Sequence, residues 1–187
     1  MAKINNAVAK KEFSGDPYTP RPVFILENQL MDTLELQWHV QQARIRLNAM
    51  NEAKIDALFE GLTGELRWFT DTIRKRLQCL RTEGSHYVEW SSSSFWRLFA
   101  VDDVKSFSQF EALVYGYAHY AKQTSKAILS LERLGDPGSS NLLREISRAT
   151  DRCLRFVEIY MEGCALNCDI SHLPDWPVDP LNPSSSE

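Results

Sequence analysis

The sequence predicts an all-α protein, a bundle of four long helices with a long crossover between the second and the third. Two observations support this fold class. Four segments carry apolar residues at steps of three and four positions, the spacing of a helix that buries one face. No segment shows the alternation of apolar and polar residues that is typical of a half-buried strand. We therefore expect four packed helices and no sheet.

The first predicted helix begins near Glu27, and apolar stripes on two of its sides indicate burial on more than one face. The second helix has the clearest pattern, since its apolar spacing runs for about seven turns from Ile55 to Leu80. It is expected to end before Gly84, because glycine commonly follows the last turn of a helix. The apolar positions of the first helix are Leu26, Leu30, Leu34, Leu36, Trp38, Val40, Ala43, Leu47 and Met50.

The third predicted helix opens near Ser106 and stops at a tight turn formed by Gly135-Asp136-Pro137-Gly138. The fourth helix is expected to start near Ser139 or Ser140, since either hydroxyl is a suitable N-terminal cap. It is expected to stop at Gly163. Only a short turn therefore separates these two helices, in contrast to the long connection that precedes them.

The chain divides into an arm, a bundle and a tail. Residues 1–25 are polar and contain several prolines, which indicates a flexible or extended arm. Residues 26–163 form the predicted bundle, and a short apolar piece at 95–100 is expected to be a small helix within its crossover. Residues 164–187 contain four prolines and a terminal run of serines, which predicts an irregular tail.

Composition limits the class of protein. A length of 187 residues with 43% hydrophobic residues fits one soluble domain with a substantial core. The net charge of −4 argues against a body built for nonspecific nucleic-acid binding. No apolar run reaches the roughly 18 residues of a membrane span, and the first residues lack a secretory signal. We therefore expect no membrane partner, a cytoplasmic location, and reduced thiols at the four irregularly spaced cysteines.

Five short motifs stand in a fixed order along the predicted helices. Together with the crossover length and the Gly-Asp-Pro turn, they resemble the Dps family, the mini-ferritins that protect DNA in starved bacteria. The resemblance covers about residues 27–162, most of the predicted bundle. The motifs are Gln-Ala at 42–43, Leu-Phe-Glu at 58–60, Asp-Thr-Ile at 71–73 followed by Arg76, Glu-Ile-Ser-Arg at 145–148 and Phe-Val-Glu at 156–158.

This resemblance implies a ferritin-like fold, whose bundles are wired with a long crossover of this kind. Proteins of the family assemble twelve subunits into a hollow shell and oxidise ferrous iron at sites shared between two subunits. The resemblance thus implies a homo-oligomer, a dodecamer, with iron as the bound ion, ferroxidase as the activity, and DNA as a partner that would place it at the nucleoid. The alternatives are a Dps-like assembly without iron oxidation and a structural bundle of another oligomeric state.

The family's iron site has five positions, and this chain has changed most of them. The pattern places a histidine after the Gln-Ala pair, a second histidine twelve residues on, an acid four later, an aspartate eleven further and a glutamate four after that. Here these positions are occupied by Arg44, Asp56, Glu60, Asp71 and Lys75. The two acids in the middle keep the character that the family pattern requires.

The replacements change the chemistry of the site. Ferrous iron needs neutral imidazole or anionic oxygen ligands, and an arginine offers no lone pair. Our first hypothesis is that Arg44 and Lys75 neutralise the acids in an ionic clamp between subunits, with an impaired ferroxidase centre. A second hypothesis keeps a rearranged metal site made of Asp56, Glu60 and Asp71. A third places the family register one helical turn away from this assignment.

The N-terminal arm is a separate candidate for DNA contact. Lysine-rich arms hold DNA in several family members, and this arm carries Lys3, Lys10 and Lys11. Several copies on one shell would add modest phosphate contacts into salt-sensitive binding. Glu12 and Asp16 dilute this charge, so the alternative is a solvated arm without a DNA partner.

A second candidate lies in the tail. Cys164, Cys168 and His172 stand four positions apart and would share one face if the fourth helix continued, which would form a soft-metal site. The alternative is two tail thiols beside a surface histidine, because Gly163 is expected to end the helix.

The sequence also predicts where two cysteines and two tryptophans lie. Cys79 and Cys153 both fall on stripes and are expected in the core. Trp38 and Trp68 are interpreted as core residues or as contacts between subunits.

Overall fold

The computed structural model describes residues 22–47, 53–82, 106–165 and 173–177. It contains four helices, α1 (Pro22–Leu47), α2 (Ala53–Thr82), α3 (Ser106–Arg133) and α4 (Pro137–Ala165). Every regular element in the described ranges is helical, which confirms the predicted all-α bundle. Helix α1 packs against α2 and α3, and α4 packs against α3 and α2.

Helices α1 and α3 run in opposite directions. The Gln29 side-chain amide donates to the Thr124 hydroxyl at 2.8 Å, and the hydroxyls of Thr33 and Tyr120 lie 2.8 Å apart. Residue numbers therefore rise along α1 as they fall along α3. All four side chains are buried, and their mutual hydrogen bonds satisfy groups that would be costly to leave unpaired.

Helices α2 and α3 run in the same direction. The Phe59 and Phe110 ring centroids lie 6.2 Å apart, and ten residues further on Phe69 and Tyr120 repeat this distance. The end of α2 and the start of α3 consequently lie at opposite ends of the bundle, about 40 Å apart at 1.5 Å per residue. Residues 83–105 connect these ends, which confirms the long crossover. The predicted small helix at 95–100 lies outside the described residues.

The core is built from the apolar stripes and excludes both tryptophans that are described on α1 and α2. Trp38 is 54% exposed and Trp68 is 40% exposed, so the core interpretation is wrong and the subunit-contact interpretation stays a prediction. Cys153 is buried as predicted, but the core prediction for Cys79 is wrong, because it is exposed. Cys79 follows buried Leu77 by two residues, a rotation of about 200°, and so lies on the opposite side of α2.

The end of α3 is formed by a glycine in the left-handed conformation. Gly135 has φ +73°, which an L side chain rarely adopts. Its N–H donates to the Glu132 carbonyl at 3.0 Å, and the Asp136 N–H donates to the Leu131 carbonyl at 3.0 Å. These two bonds form a Schellman motif, which satisfies carbonyls that the last turn leaves without helical partners.

The start of α4 is capped by Asp136. Its carboxylate accepts the Ser139 N–H at 3.0 Å, and Pro137 is the first helical residue, where the missing N–H costs nothing. The prediction that Ser139 or Ser140 is the cap is therefore wrong, and both are buried inside the first turn. The Ser139 hydroxyl instead donates to the same carboxylate at 2.5 Å.

Helix α4 continues past Gly163 to Ala165, so the prediction that this glycine ends the helix is wrong. The glycine is used for close packing, since a Cβ built there would lie 3.0 Å from a methyl carbon of Leu173. The division into an arm, a bundle and a tail stays a prediction. Among the described helices, none is long and apolar enough to cross a membrane.

Candidate functional site

The five positions of the candidate metal site fall into two groups on the surface of the bundle. Arg44 near the end of α1 lies against Asp56 in the first turn of α2, and Glu60 follows Asp56 by four residues on that helix. Asp71 and Lys75 lie further along α2. Within each part of α2 the two residues are four positions apart and so share one face of the helix.

Arg44 forms an ion pair with Asp56. A guanidinium Nη2 lies 3.7 Å from the Asp56 carboxylate Oδ1, and the two side chains are 42% and 46% exposed. An exposed pair of this kind stabilises the fold by about 1 kcal/mol or less. Its importance is chemical, because a permanently charged group that offers no lone pair occupies the space beside the first acid of the site.

The two groups are too far apart to bind one ion within one chain. Glu60 and Asp71 are separated by eleven residues of α2, about 16 Å along the axis at 1.5 Å per residue. Ligand oxygens bound to one iron ion would lie within a few ångströms of each other. Among the described residues, no group of three or more His, Cys, Asp or Glu side chains is placed to hold a metal ion.

Asp71 and Lys75 are both exposed, and in the described parts of the chain neither forms an ion pair. Their spacing of four along α2 would permit an ion pair between them, but this pair is not formed within the chain. Exposed side chains gain little from such a contact, because solvent screening offsets most of the attraction and ordering costs entropy. Glu60 is likewise exposed, so the site presents charged groups of both signs to solvent.

The other candidate sites fall wholly or partly outside the described residues. Lys3, Lys10 and Lys11 of the arm are not among them, and neither are Cys168 and His172 of the tail. Cys164, the remaining member of the tail group, lies half-buried in the final turn of α4.

A pair of acids on α1 was missed from the sequence. Burial raises the pKa of Asp32 to about 6. Burial, and then the nearby charge of Asp32, raises the pKa of Glu35. Their spacing of three along a helix was readable in the sequence, but their partial burial depends on packing against the neighbouring helices.

The C-terminal segment beside the first turns of α2 was also missed. Trp176 lies against Gly61, directly after Glu60 in the chain, and Asp175 pairs with Lys54 at 3.3 Å. The sequence contained one relevant feature, a tryptophan between two prolines in a tail that was predicted to be irregular. Nothing in the sequence specified the helix against which it packs.

Comparison with known proteins shows a similarity that covers most of the chain. The chain is 25% identical over 139 residues to the DNA protection during starvation protein of Agrobacterium fabrum, which covers 74% of this chain and 86% of that protein. No known family model matches the chain, and no solved structure matches it. The similarity covers most of the chain and supports a Dps-like relation and the ferritin-like four-helix fold.

Proposed function

We propose that this chain is a Dps-like shell subunit that binds iron and protects DNA, with a divergent and impaired ferroxidase centre. The similar protein of Agrobacterium fabrum is named for DNA protection, and the ferritin-like bundle is compatible with a shell subunit. One observation supports the impairment of the ferroxidase centre. The Arg44 guanidinium lies 3.7 Å from the Asp56 carboxylate, where the resemblance implies imidazole ligands.

The donor set of the site fits iron oxidation poorly. Asp56, Glu60 and Asp71 offer anionic oxygens that a ferrous ion accepts as ligands. Arg44 and Lys75 offer only N–H groups when charged, and they repel a cation. Ferrous iron would be the substrate of the reaction, and its binding would have to displace the guanidinium from Asp56.

The separation along α2 supports a site shared between two subunits. Because the two groups lie about 16 Å apart in one chain, acids of one group can meet charges of the other only across an interface. We infer that Lys75 of one copy faces Asp56 and Glu60 of a second copy, in an ionic clamp without iron. The resemblance implies that such contacts recur in a dodecamer.

Aerobic addition of ferrous iron tests the impaired centre. The protein is mixed with a few equivalents of ferrous salt, and the ferric absorbance is followed against buffer and against an active ferroxidase. We expect a rate close to autoxidation in buffer. Saturable oxidation clearly faster than buffer would show that the centre is active, and elemental analysis of the purified protein would then identify the metal.

A lysine variant separates the clamp from a rearranged metal site. On the clamp hypothesis, Lys75→Ala weakens assembly by about 2–5 kcal/mol per interface, because acids that become buried between the two copies lose their counter-charge. On the metal hypothesis the same variant binds iron more tightly in a calorimetric titration. Arg74→Ala is a matched control, since it removes a neighbouring exposed cation from the same helix.

The second candidate is a Dps-like assembly that binds DNA or serves as a structure without oxidising iron. It is favoured by the same arginine, because the loss of an iron ligand at position 44 does not alter the arm that is proposed to contact DNA. The arm with Lys3, Lys10 and Lys11 is the proposed DNA contact, and DNA binding would place the protein at the nucleoid. A gel shift at low and moderate salt tests this, with all three lysines replaced by alanine as the control. No shift at low salt excludes DNA binding.

A further inference from the structure

Residues 173–177, here called the C-terminal strap, lie between the start of α2 and the end of α4. The Trp176 ring occupies the space above Gly61, where an added Cβ would lie 2.3 Å from two of its ring carbons. On the other side, the Trp176 ring centroid lies 5.0 Å from that of Phe156 on α4. Only glycine at position 61 leaves room for this approach, so the indole packs directly against the main chain of α2.

Polar contacts fix the strap to the first turn of α2. The Lys54 ammonium donates to the Leu173 carbonyl at 2.5 Å and lies 3.3 Å from the Asp175 carboxylate. The Tyr160 hydroxyl of α4 lies 3.3 Å from the Pro174 carbonyl and 3.4 Å from the Lys54 carbonyl, and can donate to either. The same hydroxyl thus reaches both the strap and α2.

These contacts bracket two of the candidate site residues. The strap touches α2 at Lys54 and again at Gly61, while Asp56 and Glu60 lie between these points. The start of a helix frays easily, because its first N–H groups have no partners within the helix. A strap that contacts both ends of this stretch opposes that opening.

We infer that the C-terminal strap positions the first two turns of α2, and that Trp176 docked on Gly61 sets how Asp56 and Glu60 are presented to a second subunit. The first part concerns this subunit alone. The second part rests on the proposed function, in which those two acids face Lys75 of another copy.

Two glycines of α2 provide a matched pair of variants. In Gly61→Ala the new methyl group must displace the indole, whereas a Cβ at Gly64 meets nothing within 4 Å. Both changes increase helix propensity in the same helix, so any difference between them reports the strap. We expect hydrogen exchange of residues 54–60 and 173–177 to be about tenfold faster in Gly61→Ala, and unchanged or slower in Gly64→Ala.

Trp176→Ala reaches the same contact from the strap side. It leaves the sequence of α2 unchanged, so it carries the test if Gly61→Ala folds poorly. We expect the same increase in exchange of residues 54–60, and no further increase when both changes are combined, because they remove one contact. Unchanged exchange at 54–60 in Trp176→Ala would overturn the positioning role.

Assembly is measured on the same full-length variants by sedimentation over a dilution series. We expect Trp176→Ala to dissociate at a protein concentration about tenfold higher than the parent, since its α2 acids are less well ordered. Faster exchange with unchanged assembly would overturn the inferred coupling. If instead the proposed function were wrong, Lys75→Ala would leave assembly unchanged, while the strap variants would still alter hydrogen exchange.

Discussion

Arg76 of α2 binds the cap of α4 through Asp136. The guanidinium Nη2 donates to the Asp136 carboxylate at 2.9 Å, and Nε donates to the Ser139 hydroxyl at 2.9 Å. The Asp136 side chain is only 12% exposed, so this pair is better shielded than Arg44 with Asp56. One carboxylate therefore caps α4 and ties the start of that helix to the end of α2.

Replacing Asp136 is expected to destabilise the fold. Asp136→Ala removes the cap and leaves Arg76 without its partner, for a loss of about 2 kcal/mol in the free energy of unfolding. Asp136→Asn keeps a cap acceptor and loses only the charge, so its loss should be smaller. Urea denaturation of both variants measures this, and equal losses would show that the charge dominates over the cap.

The same carboxylate predicts a pH dependence. Burial opposes ionisation of Asp136, but hydrogen bonds from Ser139 and the Arg76 guanidinium lower its pKa below the usual value. Its contribution to stability is complete above the unfolded pKa near 4 and is lost as the pH falls through the lower folded value. Asp136→Asn should therefore flatten the acid limb of the stability curve below about pH 4.

The contact between Arg76 and Asp136 also shows why the motifs in the sequence could indicate the fold. Arg76 and the Gly-Asp-Pro turn are two separate pieces of the Dps resemblance, 60 residues apart, and the structure brings them together in one contact. A resemblance whose distant pieces meet in space is physically coherent. The bundle itself was predicted from helix periodicity, because a helix that buries one face carries apolar residues at steps of three and four positions.

Asp32 is expected to lower stability at neutral pH. Because burial raises its pKa to about 6, the folded state holds this proton more tightly than the unfolded state, and stability falls as the pH rises from about 4 through 6. Asp32→Asn should gain about 1 kcal/mol at pH 7 after allowance for solvent screening, and nothing below about pH 4. Denaturation at pH 4 and pH 7 tests this. Exposed Asp151→Asn is the control, and an equal gain there would contradict the burial argument.

The thiols should differ sharply in reactivity. Cys79 is exposed, whereas Cys153 is buried and burial raises its pKa far above the ordinary value, which disfavours the reactive thiolate. We expect native alkylation at pH 8 to modify Cys79 at least about a hundredfold faster than Cys153. Peptide mass spectrometry over a time course measures both rates, and unfolding in urea should make them similar. Comparable native rates would contradict the buried position.

The features that sequence reasoning missed depend on contacts between distant segments. Gly163 looked like a helix end, but it serves as the surface on which Leu173 packs, a role that no local rule distinguishes from a terminator. Trp176 was placed in an irregular tail, since nothing local specifies Gly61 as its partner. The charged site is intermediate. Its residue types and their spacing along a continuous α2 were readable, but the ion pair between Arg44 and Asp56 depends on how α1 packs against α2.

Restoring the ligand types that the resemblance implies should restore iron oxidation. In the triple variant Arg44→His, Asp56→His and Lys75→Glu, imidazoles replace one guanidinium and one carboxylate, and a carboxylate replaces the ammonium. Ferrous iron therefore gains two ligand groups where cations stood and loses two repelling charges. We expect aerobic oxidation at least about tenfold above the parent, and assembly that depends on added metal, because acids now meet across the interface. In the control, Arg74→Glu replaces the lysine change, which keeps the added acid but moves it to a neighbouring exposed position. If the triple variant oxidised iron no faster than the parent while remaining folded, these five positions would not be the site that the family pattern implies.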